Sequence, residues 1–127
     1  MTYAEPPAAA DEVTASADGY RCVRTVRATD PYLVGHFPGN PVYPGVFTIE
    51  TVYRAARRIA EEHGPPVALA KVKSARFTAP VTAGDTLTVD FTLRRHNGRL
   101  DVDARCHSGG RETARVKLEL GQVLGGA

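Results

Sequence analysis

"PGVFTIETVYRAARRIAEEHGPP", running from Pro44 to Pro66, decides the fold. Val46, Ile49, Val52, Tyr53, Ala56, Ile59 and Ala60 recur at spacings of three and four, the period of one helix face. Arg57, Arg58, Glu61 and Glu62 supply a polar side. Pro44-Gly45 marks the start. "HGPP" at 63–66 marks the stop, because Gly64 can take a left-handed cap and the prolines cannot continue a helix. The stretch predicts one helix of about five turns.

Outward from it the period changes to two. "VALAKVKSARF" (67–77) is a long extended run, and "PVTAGD" (80–85) is a loop. "TLTVDFTLRRH" (86–96) alternates Leu87, Val89, Phe91 and Leu93 with polar partners, and Asn97-Gly98 is a two-residue hairpin signal. "RLDVDARCH" and "ETARVKLELGQV" alternate in turn. Upstream, "EVTAS" and "YRCVRTVRA" read as two short strands around an Asp-Gly turn. The order is short strands, one long helix, then four antiparallel strands. A helix with apolar residues on much of its surface has to be covered. A single antiparallel sheet curved around it does that, an α+β layout.

The chain has 127 residues, the size of one domain, and 43% hydrophobic content is enough for a core. Residues 1–18 are Ala/Pro-rich and read as a mobile acidic tail, with 19–127 as the domain. The tail holds Glu5, Asp11, Glu12 and Asp18 and no Lys or Arg, so it carries −4; against a chain total of +2, the remainder carries +6. Such a body suits an acidic protein partner. It is too dispersed for nucleic acid, and no zinc-finger or RNA-binding pattern occurs. No apolar run approaches the ~18 residues of a membrane span. Without a secretory pattern, and with Cys22 and Cys106 at no CxxC spacing, the expected location is cytoplasmic with reduced thiols.

"GHFPGNPVYPGVFTIE" (35–50) places a histidine before a series of Pro/Gly turns and a glutamate inside the helix that follows. "TDPYLVGHFPG" (29–39) precedes it, and "ARFTAPVTAGDTL" (75–87) follows. With the layout above, these stretches resemble the hotdog-fold 3-hydroxyacyl-acyl-carrier-protein dehydratases over roughly residues 19–120. The family pattern is His-Phe-Pro-Gly-x-Pro-Val-x-Pro-Gly with an acid near the start of the helix. Here Tyr43 stands at the variable position, Glu50 at the acid, and Arg54 where the family has glutamine. The family's N-terminal segment is replaced by the acidic tail.

The resemblance implies a hotdog fold and loss of water from a 3-hydroxyacyl thioester to give the trans-2-enoyl product, in fatty acid or polyketide-type chain building. That chemistry needs a base for the C2 proton and a proton for the departing C3 hydroxide. His36 would be the base, since imidazole titrates near neutrality. Glu50 would hold or protonate the leaving hydroxyl. In the family the two come from different subunits. Gly45, at the helix N-terminus, would polarise the thioester carbonyl through its N–H. The Val42 carbonyl would orient His36, and Phe37 and Tyr43 flank the substrate. Arg54, one turn after Glu50, is a possible modulator, expected to turn away from the leaving-group site or to meet a partner. No metal or redox cofactor is implied, because the substrate rides on the phosphopantetheine of an acyl carrier protein. Arg57, Arg58, Arg76, Arg94 and Arg95 are candidate docking residues for that carrier.

Other residues have plainer readings. His63 suits a helix C-terminus. His96 is solvated, His107 belongs to a polar turn, and the four histidines lack metal-ligand spacing. Cys22 and Cys106 are core filler. Phe47, Phe77 and Phe91 are expected in the core, or in part along an acyl tunnel. Two rival functions stay open. One is a non-catalytic or co-catalytic subunit of a hotdog heterodimer, against which His36 and Glu50 both speak. The other is a different hotdog thioester enzyme, a hydratase or thioesterase.

Overall fold

A computed structural model describes residues 12–26, 45–82 and 84–123. The elements are β1 (Glu12–Ser16), β2 (Gly19–Thr25), α1 (Gly45–Glu62), β3 (Val67–Phe77), β4 (Thr86–His96), β5 (Arg99–Ser108) and β6 (Arg111–Gln122). All six strands form one antiparallel sheet in the order β1-β2-β4-β5-β6-β3. One helix against one antiparallel sheet is the hotdog architecture that the helix and strand patterns predict.

The helix spans 18 residues and packs against β3, β4 and β6. Its buried positions are Thr48, Thr51, Val52, Ala55, Ala56, Ile59 and Ala60, so small side chains bring the sheet close to the helix. Val46 departs from the expected face and is exposed. The C-terminus also ends differently from the expectation: Gly64 does not adopt a positive φ. Instead the His63 N–H donates to the Ala60 carbonyl (3.2 Å), and His63 Nδ1 lies 3.0 Å from the Ile59 carbonyl. The side chain satisfies a helix-end carbonyl that a glycine cap would otherwise close.

Alternation on the sheet follows the sequence. Leu87, Val89 and Phe91 of β4, Leu100, Val102, Ala104 and Cys106 of β5, and Ala114, Val116, Leu118 and Leu120 of β6 form the core with the helix. Asn97 (φ 48°) and Gly98 (φ 76°) supply the left-handed pair that a tight hairpin matched to strand twist requires. Cys22 and Cys106 both sit opposite Val89, on either side of β4. One intervening strand puts them about 10 Å apart, beyond disulfide reach. Burial, chiefly, pushes the Cys106 thiol up to about 12, so it is an inert core residue.

Three expectations need correction. The domain boundary at residue 18 falls inside a hairpin: β1 pairs along its whole length with β2, so the sheet begins at Glu12. His107 is not in a turn but on β5, where its Nε2 lies 2.9 Å from Asp90 Oδ2. Phe77 is not core, since it ends edge strand β3 and is half exposed. Among the described residues no helix is long and apolar enough to cross a membrane.

Candidate active site

Helix α1 begins at Gly45, and its first turn has no acidic side chain to occupy the positive end of the dipole. A cleft of about 400 Å³ opens there, lined by Gly45 and Thr48 of the helix, Phe77 at the end of β3, Val81 of the following loop, and Thr113 and Ala114 of β6. That volume falls in the range of small-molecule sites. Gly45 is needed for close approach. A Cβ there would lie 2.9 Å from Phe77 Cζ, inside van der Waals contact, so the ring rests on the bare backbone.

The far wall is tied to β6 by hydrogen bonds. The Thr78 and Ala79 N–H groups donate to the Thr113 carbonyl (2.9 and 3.3 Å), and Thr78 Oγ1 donates to the Glu112 carbonyl (3.1 Å). The loop after β3 is closed by Asp85, whose Oδ2 accepts from the Thr82 N–H (2.8 Å) and Thr82 Oγ1 (3.1 Å).

Glu50 is not among the residues lining this cleft. At 100° per residue it sits roughly 160° around the helix from Thr48, which does line it. Its partner is Arg54, whose Nε donates to Glu50 Oε2 at 3.0 Å, with about a third of each side chain exposed. Arg54 therefore does not turn away. It folds back on the carboxylate one turn before it, as the i,i+4 geometry allows. Gly45 and Glu50 thus face different directions from one helix. His36, Phe37, Val42 and Tyr43 lie outside the described residues. Among the described residues no cluster of His, Cys, Asp and Glu could hold a metal ion.

Sequence reasoning passed over Thr48, Thr113 and the Asp90 network. Asp90 accepts from Arg21 Nε at 2.7 Å and from Arg21 Nη2 at 3.0 Å, and it meets His107 on its other side. The Arg21 hydrogen bond, chiefly, holds the Asp90 carboxyl below its ordinary value. These residues come together only through strand pairing.

Comparison with known proteins agrees with the fold and the family. The model of the ApeI-like family, described as ApeI dehydratase, matches residues 12–115. The 3-hydroxyacyl-acyl-carrier-protein dehydratase FabZ of Herpetosiphon aurantiacus is 36% identical over 96 residues, 71% of this chain and 68% of its own. FabZ of Thermus thermophilus is 35% identical over 109 residues, 80% of this chain and 77% of its own. Among solved structures, the dehydratase heterocomplex ApeI:P from Xenorhabdus doucetiae superposes with a TM-score of 0.74 at 19% identity, covering 88% of this chain and 96% of that one, and so shows the shared fold. With a hotdog sheet, a helix N-terminus opening on a cleft and these relatives, the chain belongs to the ApeI-like family of dehydratases.

Proposed function

We propose that this chain is a cytoplasmic dehydratase that removes water from a 3-hydroxyacyl thioester carried on an acyl carrier protein, leaving the trans-2-enoyl thioester. One observation carries the reading: the Gly45 helix N-terminus opens on a substrate-sized cleft in a chain 36% identical to a 3-hydroxyacyl-acyl-carrier-protein dehydratase. His36 takes the C2 proton, the Gly45 N–H holds the thioester oxygen as negative charge develops on it, and Glu50 gives a proton to the departing hydroxide. The substrate brings its own phosphopantetheine arm, and no step calls for a metal or redox group.

The site is completed by a second hotdog subunit. Glu50 points away from the cleft of its own chain, so the acid serves a cleft from a neighbour. Edge strand β3 supports this. It is 11 residues long, pairs among the described residues with β6 alone, and exposes Leu69, Val72 and Phe77. An unpaired edge of that length is a template for another strand. Whether the second subunit is a copy or a different chain decides between a self-sufficient enzyme and half of a heterodimer, and the Xenorhabdus neighbour, itself a heterocomplex, favours weighing the second case.

Carrier docking has support on the outer face of the sheet. Arg76, Arg115 and Arg105 stand directly opposite one another on β3, β6 and β5. Arg115 is paired with Glu112 at 3.0 Å, and an acidic partner relieves the repulsion left among the like charges in register. The row begins beside Phe77, at the cleft. Of the other candidates, Arg57 lies over the Tyr53 ring and Arg58 faces Glu62 at 3.9 Å, so Arg76 is the stronger anchor.

The test is mass spectrometry of 3-hydroxyacyl carrier protein incubated with the purified chain, with His36→Ala and with Glu50→Gln. Loss of one water with the wild type alone establishes a self-sufficient dehydratase. No loss from a folded wild-type dimer refutes self-sufficiency and directs the search to a second hotdog subunit.

A further inference from the structure

Thr113 breaks the alternation of β6. Ala114, Val116, Leu118 and Leu120 face the core, so a regular strand would turn Thr113 outward with Arg111 and Arg115. It is instead 1% exposed. The pairing explains why: Cys106 of β5 is opposite Ala114 and His107 is opposite Glu112, so Thr113 is the extra residue of a β-bulge. A bulge re-aims one side chain at the expense of a ladder position, and bulges recur beside active sites. This one turns a hydroxyl-bearing side chain inward, into the wall of the cleft at Gly45.

The hydroxyl gains nothing structural from that burial. Thr113 Oγ1 is buried with no hydrogen-bond partner among the described residues, while the Thr113 carbonyl is used twice by the loop after β3. Valine has the same shape and would carry no desolvation cost. An unsatisfied buried hydroxyl held by a bulge against a substrate-sized cleft is a group waiting for a ligand. A single χ1 rotation carries the hydroxyl to another staggered position around Cβ, within the side chain's place in the cleft wall.

We infer that Thr113 is a substrate-positioning residue whose Oγ1 hydrogen-bonds the amide of the phosphopantetheine arm next to the thioester. The inference rests on the thioester chemistry proposed above. With the Gly45 N–H given to the thioester oxygen and Glu50 to the C3 hydroxyl, the remaining polar group beside the thioester is that amide, and Thr113 Oγ1 is a buried polar atom of the same cleft with no partner among the described residues. The amide takes no part in bond making or breaking, so the contact is the same in ground and transition states and its loss raises KM while leaving kcat alone.

The experiment compares the wild type, Thr113→Val and Thr113→Ser, full-length, for melting temperature, for steady-state kinetics on 3-hydroxyacyl carrier protein, and for binding of an unreactive S-alkyl pantetheine thioether. The expected result is a KM about tenfold higher for T113V with kcat within about twofold, a melting temperature equal to or above that of the wild type, and recovery of KM in T113S. An unchanged KM, a fall in kcat at unchanged KM, or a lower melting temperature for T113V each overturns the inference, the last because the hydroxyl would then be holding the fold. If the wild type itself releases no water, the proposed reaction fails separately and the thioether decides: weaker binding to T113V than to wild type sustains the contact, and equal binding or none to either overturns it.

Discussion

Gly45→Ala sets two opposing effects against each other. On the fold side, alanine is a better helix residue than glycine by up to about 1 kcal/mol. Against this, the new Cβ would lie 2.9, 3.1 and 3.2 Å from three atoms of the Phe77 ring. Ordinary carbon contacts begin near 3.5 Å, so the ring has to retreat by about 0.6 Å. Phe77 is 48% exposed and closes an edge strand, so the ring swings toward solvent rather than straining the core. The two effects nearly cancel, and the variant should melt within about 1 kcal/mol of the wild type. Catalysis should behave differently. The methyl group occupies the approach to the first helical N–H and displaces Phe77 in the cleft. Losing one such donor typically costs about 3 kcal/mol of transition-state stabilisation, or on the order of 10²-fold in kcat. Differential scanning calorimetry together with steady-state dehydration on carrier-bound substrate separates the two effects. A G45A variant with wild-type kcat would refute the assignment of this helix N-terminus to the reacting carbonyl. A fall in stability by several kcal/mol would refute the placement of Phe77 as a yielding neighbour.

Further outcomes follow from the same geometry. If Glu50 serves a partner's cleft in a symmetric dimer, mixing inactive His36→Ala and Glu50→Gln chains after subunit exchange should restore about a quarter of wild-type activity, since half the dimers are mixed and each holds one intact site; no recovery with exchange confirmed by native mass spectrometry places both residues in one chain's site. Phe91→Ala, at a ring only 2% exposed, should cost about 3–5 kcal/mol by denaturant titration, and a loss below about 1 kcal/mol contradicts the core described above. Asp90→Asn should be less stable than wild type at pH 7. The folded Asp90 carboxyl is held below its ordinary 3.8, so its stabilisation is present above that value and is lost as pH falls through the lowered one; the gap in melting temperature should close in acid, and a constant gap shows that the ion pair is not its source. Cys106 should resist alkylation in the native protein and react only on unfolding, and rapid native labelling would contradict its burial.

The helix that carries part of the candidate site was readable in advance. Gly45 as the helix start, Glu50 inside the helix and Arg54 one turn on all depend on spacing along one segment, and the helix occurs where the period of three and four places it. What could not be read was how those parts face each other. Arg54 was expected to turn away from the leaving-group site or to meet a partner, and its side chain meets Glu50 at 3.0 Å, because helix geometry brings i and i+4 together. Val46 was placed on the apolar face but is exposed, and the buried positions of the helix begin at Thr48.

The sequence by itself determined what local chemistry controls. Periods of 3.6 and 2 marked the helix and the four long strands, Asn97-Gly98 marked a left-handed turn, and the prolines after His63 marked a stop, because each depends on residues within a few positions of one another. Tertiary structure alone decided the rest. The β6–β3 pairing joins residues more than thirty positions apart and leaves β3 at an open edge. The bulge at Thr113 exists only as a mismatch between two paired strands, so neither strand's own pattern contains it. Phe77 came to rest on Gly45, and Glu50 faces away from the cleft at the start of its own helix, because helix and sheet each bury the face that excludes the most apolar surface from water, and the functional groups go where that packing leaves them.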